Sequence, residues 1–106
     1  MASSSYPVKF ILTYDILPEV QETYFQFVLG ELVPALQAQG LHMSGAWHTA
    51  YGDYPMRLVE FIAEDRATVE AVLDSPAWEH LEDRLREFVV NYSRKIVRLR
   101  EDLFQF

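Results

Sequence analysis

The sequence predicts an α+β fold in which one four-stranded antiparallel sheet carries two helical segments on a single face. Three observations lead there. Apolar residues recur with period 2 in four segments and with period 3.6 in two others, in the order strand, helix, strand, strand, helix, strand. That order closes compactly as a ferredoxin-like βαββαβ sandwich. The third strand, "MRLVEFIA", is apolar on both parities, with Leu58 and Ile62 on one and Val59 and Phe61 on the other. Such a strand belongs at the centre of a sheet whose second face is also covered.

Each element has its own signal. "PVKFILTYDI" alternates, with Val8, Phe10, Leu12 and Tyr14 on one side and Lys9, Ile11, Thr13 and Asp15 on the other. Pro18, Glu19 and Glu22 open a helix, carboxylates being favourable at the positive end of its dipole. Its stripe is Tyr24, Phe25, Val28, Leu29, Leu32, Ala35 and Leu36, and it runs to about Gln39 before Gly40. Pro34 predicts a kink, because it donates no hydrogen bond and its ring clashes with the carbonyl of residue 30, Gly30 giving room to bend. "LHMSGAWHTA" and "MRLVEFIA" read as a hairpin joined across "YGDYP" by a slightly long loop. "EDRATVEAVLDS" starts the second helical segment, which "DSPAW" interrupts. Ser75 then caps a new start with Pro76 in the first position. Trp78, Leu81, Leu85, Phe88 and Val89 form the next stripe, and "SRKIVRL" is the last strand.

Half of the 106 residues are hydrophobic, enough for the core of one domain over residues 1–106. Residues 1–6 are expected to be a flexible lead, and the pattern leaves the state of the tail 100–106 open. The absence of cysteine removes disulfides, thiolate nucleophiles and thiolate metal sites, and fits a reducing compartment. No basic segment followed by an apolar run marks a signal peptide, and no window approaches the roughly 20 apolar residues of a membrane span. The net charge of −7 opposes binding to nucleic acid or an anionic membrane. The expectation is a cytoplasmic protein with neither partner. "RKIVRLR" runs against the average, either as a phosphate-binding stripe or as charge that discourages edge-to-edge strand pairing.

The doubly apolar third strand, together with Ile11, calls for a cover over the second sheet face, and a homodimer through that face is the simplest one. At this point "GELVPALQAQG", "GAWHTAYG" (a Gly-x-Trp-x-Thr-x-x-Gly pattern) and "SPAWEHL", spread over residues 9 to 97, give the chain a resemblance to the dimeric α+β barrel superfamily and, within it, to NIPSNAP-like proteins. The resemblance implies a homodimer whose two sheets form a dimeric α/β barrel, with a pocket between each sheet and its helices. It also implies relatives that include cofactor-free antibiotic-biosynthesis monooxygenases, haem-degrading monooxygenases and lactone isomerases. The haem-degrading type has an Asn on the first strand and a Trp and a His on the second helix. The matching positions here are Tyr14, Val72 and Glu82, so haem chemistry is disfavoured and no cofactor is expected.

Four residues are candidates for a site. In "GAWHTAYGDYP" the pairing Thr49–Met56, His48–Arg57 and Trp47–Leu58 puts His48 and Arg57 on one sheet face and Gly45, Trp47 and Glu60 on the other. Trp47 is either core or the wall of a ligand pocket. His48 is either a half-exposed hairpin residue or a group that moves a proton near neutral pH. The loop tyrosines Tyr51 and Tyr54 would pack over the rim. Glu60, between Val59 and Phe61, is either held in a structural salt bridge, for example to a strand arginine across a dimer, or acts as a general base. Tyr14 either grips a substrate oxygen at the mouth of a helix-side pocket or bonds a backbone carbonyl. His42 and His80 have no partner in the pattern, and the histidine spacing gives no metal site. No phosphate loop or nucleophile elbow occurs. Two functional classes follow: a small cofactor-independent enzyme, of monooxygenase or isomerase type, acting on an apolar oxygen-bearing molecule, or a non-catalytic homodimer that binds a small apolar ligand or a protein.

Overall fold

The computed structural model describes residues 6–51 and 54–99. The Gly52–Asp53 pair, the tail 100–106, the lead apart from Tyr6, and the side chains of residues 49–51 and 54–55 lie outside that description, and with them the expected role of Tyr51 and Tyr54. The elements are β1 (Val8–Ile16), α1 (Gln21–Phe27), α2 (Val33–Ala38), β2 (His42–Tyr51), β3 (Tyr54–Ala63), α3 (Arg66–Leu73), α4 (Pro76–Arg86) and β4 (Val89–Arg98). No helix among the described residues is long and apolar enough to cross a membrane.

The strands stand in the order β2-β3-β1-β4, every neighbouring pair antiparallel. This is the ferredoxin-like topology read from the sequence, with β3 central as its double apolarity required. The sheet is open, however, and β2 and β4 are its edges. The expected α/β barrel is therefore corrected: four strands leave two unpaired edges, whereas small closed barrels take about eight. The edge position of β4 accounts for its exposed Arg94, Lys95 and Arg98, charges that make an edge unattractive to a further strand.

Pro34 is accommodated before it is reached. Between α1 and α2 the helix widens into a π turn over Val28–Leu32, and the Val33 N–H donates to the carbonyl of Val28, five residues back. The ladder is thus already shifted where Pro34 has no hydrogen to give, and the expected kink takes the form of this wider turn. Gly30 lies within it, and a Cβ there would meet nothing within 4 Å, so room to bend is not what holds a glycine there. The helix ends on Gly40 at φ +96°. Leu41 N–H reaches the Leu36 carbonyl at 2.9 Å and Gly40 N–H reaches that of Gln37 at 3.1 Å. Leu36 and Leu41, both fully buried, close this terminus as a hydrophobic pair. Asp65 caps α3 through Thr68 N–H at 2.8 Å, and Ser75 caps α4 through Trp78 N–H at 3.2 Å.

The core lies between the helices and one face of the sheet. Val8, Phe10, Leu12, Tyr14 and Ile16 of β1 and Val59, Phe61 and Ala63 of β3 all face it and are buried, as are Trp78, Leu81 and Leu85 of α4. Trp78 meets Phe10 edge-on at 5.7 Å. The other sheet face bears no helix. Its side chains form rows across the strands, among them Trp47–Leu58–Thr13–Ser93 and Gly45–Glu60–Ile11–Lys95. Trp47, Met56 and Val90 are exposed on it.

Gly40→Ala is expected to lower unfolding free energy by about 1–2 kcal/mol, the cost of a left-handed L residue. An added Cβ would also press on Thr68 Cγ2 at 3.3 Å. Urea denaturation of the variant checks this, and an unchanged midpoint would contradict it.

Candidate functional site

The register settles which candidates can work together. His48 opposes Arg57, Trp47 opposes Leu58 and Thr49 opposes Met56, the pairing expected from the sequence. The strands run to Tyr51 and resume at Tyr54, a closer approach than the expected long loop. Tyr14 and His48 therefore sit on the helix side, whereas Glu60 and Trp47 sit on the open face. One site cannot use all four.

On the open face, both carboxylate oxygens of Glu60 lie 3.4 Å from Lys9 Nζ, and Ser44 Oγ donates to Oε1 at 3.4 Å. Glu60 thus has a cation of its own chain on the adjacent strand, not an arginine. Ser44 reaches it because β2 bulges between Met43 and Gly45, leaving Ser44 unpaired. Trp47 is 52% exposed and is not core. Its indole lies on Gly45, where a Cβ would come within 2.6 Å of Cη2. Only glycine leaves room for the ring to lie flat on the sheet.

On the helix side, His48, Arg57 and Tyr14 form one row across β2, β3 and β1, and Tyr92 of β4 extends it, its ring stacked on Tyr14 at 6.3 Å. Above the row lies α1. Its Tyr24 shares a 2.6 Å hydrogen bond between hydroxyls with Tyr14, and its Phe25 ring lies 5.4 Å below the Arg57 guanidinium carbon. Tyr14 and Tyr24 are both essentially inaccessible, so Tyr14 is enclosed, not at a pocket mouth, and its hydroxyl pairs with a phenol instead of a backbone carbonyl. His48 is exposed at the outer end of the row. At the other end Tyr92 donates to Glu82 Oε2 at 2.7 Å, and Arg94 donates to the same oxygen at 2.7 Å. Glu82, the position matched to a haem-ligating histidine, is thus occupied by these two contacts, and Val72 is core. His42 and His80 are exposed, and no group of three His, Asp or Glu among the described residues is placed to hold a metal ion.

Arg57 and Tyr24 were not singled out by the sequence reading, although a signal for Arg57 was present. Arg57 shares strand parity with Val59, Phe61 and Ala63, so it is the inward charge of β3, and Glu60, which drew attention first, is outward. Tyr24 was read as one more member of an apolar stripe. Only the fold reveals that its hydroxyl meets that of Tyr14.

No protein-family model matches the chain, and no curated protein does. Solved structures share its fold. A conserved protein of Methanosarcina mazei superimposes with a TM-score of 0.71 at 11% identity, over 90% of this chain and 94% of that one. A Nitrosomonas europaea protein named for the antibiotic biosynthesis monooxygenases gives 0.69 at 8% identity, over 95% and 97%. A NIPSNAP-like domain protein of Burkholderia xenovorans gives 0.63 at 20% identity, over 91% and 87%. At these identities the likeness is one of fold.

Burial pushes the phenols of Tyr14, Tyr24 and Tyr92 above their ordinary value of 10.0. For Tyr14 the neighbouring Tyr24 adds to the rise and Arg57 opposes it. For Tyr92 the Glu82 carboxylate adds to it. The native state therefore keeps protons that the unfolded chain releases near pH 10. The stability they contribute is complete below that pH and is lost as pH rises above it. Denaturation midpoints are expected to fall steeply above pH 10, while native-state phenolate absorbance lags behind the number of tyrosines. Tyr14→Phe removes one of the two partners of the buried Tyr24 hydroxyl, leaving Arg57, at a cost of about 0.5–1.5 kcal/mol near neutral pH. It also makes the alkaline fall shallower. Ordinary ionisation of every tyrosine in the native protein would contradict the burial.

Proposed function

We propose that the chain is a cofactor-independent protein that takes an apolar, oxygen-bearing small molecule at the helix-side row and works as two copies packed through their open sheet faces. The observation that carries the first part is the convergence of His48, Arg57, Tyr14 and Tyr24 at one end of an otherwise apolar layer between sheet and helices. His48 is the group assigned to moving a proton, being exposed and next to Arg57. Tyr14 acts as a positioning residue, fixing the Tyr24 hydroxyl. The shared fold with the Nitrosomonas europaea protein supports a monooxygenase type of reaction. Fold alone carries no chemistry, so the residues must do so.

The second part rests on the open face. Trp47 and Met56 are exposed there beside Leu58, and an exposed apolar patch on a sheet face marks an interaction site. The Lys9–Glu60 pair and the Thr13–Ser93 hydroxyl contact at 2.7 Å satisfy the polar groups beside Leu58 within one copy, so apolar contacts can drive association. In this reading Trp47 contacts the second copy and Glu60 holds Lys9 beneath the interface. A non-catalytic pair with the same interface is the alternative, and it is favoured by the enclosure of the Tyr14 hydroxyl.

Native mass spectrometry at micromolar concentration is expected to show a dimer that Leu58→Glu converts to a folded monomer, because the new carboxylate would be buried without a partner. A monomeric native protein would refute the assembly. Oxygen uptake with 1-naphthol separates the two functional classes. His48→Gln is expected to lower kcat by about 10²–10⁴-fold, the usual worth of a general base, with KM little changed. Absence of turnover in the native protein leaves the binding reading in place of the enzymatic one.

A further inference from the structure

The shielded arginines of this molecule differ in their pairing. Among the described arginines only Arg57 and Arg84 are shielded from full exposure. Arg84 has a carboxylate, Glu31, at 2.7 Å, and the more exposed Arg66 and Arg94 have Glu70 and Glu82. Arg57 has none among the described residues, in a chain where carboxylates outnumber cations sixteen to nine. Its Nε is sealed from solvent and has no hydrogen-bond partner. The groups facing it are the two phenols of Tyr14 and Tyr24, the His48 imidazole across the strand pair and the Phe25 ring. None of these is an anion at neutral pH. A shielded guanidinium without a countercharge is costly, and such a charge ordinarily finds an anion.

The geometry points to Arg57 as the anchor for an oxyanion on a planar ring, a carboxylate or an acidic enol or phenol, held beside Phe25. This inference rests on the small-molecule reading above and narrows it to an anionic ligand class. The arginine is placed for the role in three ways. The strand fixes its stem between His48 and Tyr14. The aromatic face of Phe25 orients the guanidinium plane, as cation–π contacts do, and offers a flat apolar surface to a ring lying against it. The guanidinium fork suits two oxygens of one group, which the neutral phenols around it do not supply. Tyr24 already shares a side-chain hydrogen bond with Arg57, so an arriving oxyanion would bring the countercharge and the acceptor that its Nε lacks. His48, at the open end of the row, would then lie next to the ring that the anion anchors.

The test uses 2-naphthoate and its neutral isostere 2-naphthamide, titrated into the full-length protein by calorimetry at neutral pH. The naphthoate is expected to bind about tenfold or more tightly than the amide, the value of a charge-assisted hydrogen bond converted to affinity. Arg57→Gln is expected to remove that preference while leaving amide binding within about twofold, and Arg57→Lys to keep part of it, since the charge stays and the fork is lost. The comparison of the two probes on the unmodified protein needs no variant to fold. Equal binding of acid and amide would overturn the anion anchor and leave the small-molecule site standing. Binding of neither probe would overturn both. Loss of naphthoate preference in a His48→Gln variant with Arg57 intact would also overturn the assignment, moving the charge recognition to the imidazole.

Discussion

Everything in this molecule depends on helices covering only one face of a four-stranded sheet. With β1 and β3 at the centre, the inward positions from Val8 to Ile16 and from Val59 to Ala63 are buried under the helices, and the outward positions are left to other strands' side chains. The inward set is almost wholly apolar, which makes its few polar members conspicuous. Arg57, Tyr14 and Tyr24 are not scattered through the layer but meet at one end of it. The outward set mixes Ile11, Leu58 and Ile62 with Lys9 and Glu60, which pair with each other. The helix-side row and the open face are thus two sides of one parity rule.

Much of the fold was legible because parity and periodicity are local. The alternation in "PVKFILTYDI", the stop at Gly40 and the restart at Ser75–Pro76 each specify their element without help from the rest of the chain. The hairpin register was legible too, since side-chain direction alternates strictly from a fixed turn. What failed was closure. The third strand is apolar on both parities, yet the face that carries Leu58 and Ile62 bears no helix and leaves both side chains half-buried in an open sheet. Hydrophobic pattern measures burial, and it does not name what does the burying.

The site was less legible for a related reason. A carboxylate between Val59 and Phe61 looks misplaced along the chain, yet in the sheet it is an outward residue with a lysine beside it. The arginine three positions earlier looks like an ordinary strand residue and is the one turned inward. The Tyr14–Tyr24 contact joins a strand to a helix, so no spacing rule announces it. The solved structures that share the fold at 8–20% identity carry the same lesson, since the layers persist while almost every side chain changes.

The bulge in β2 has a consequence for how such a domain could change its chemistry. Up to Met43 the strand is in one phase with β3, and from Gly45 onward it is in the other, with Ser44 as the single extra residue. Were Ser44 to pair with Glu60 in a regular ladder, Trp47 would face Arg57 and His48 would face Met56. The indole would turn towards the helices and the imidazole away from them, with no substitution anywhere. The identity of the residue beside the inward arginine is therefore set by whether Ser44 is bulged out or paired. A chain of this shape can exchange an imidazole for an indole beside that arginine by flattening one bulge, with every residue kept.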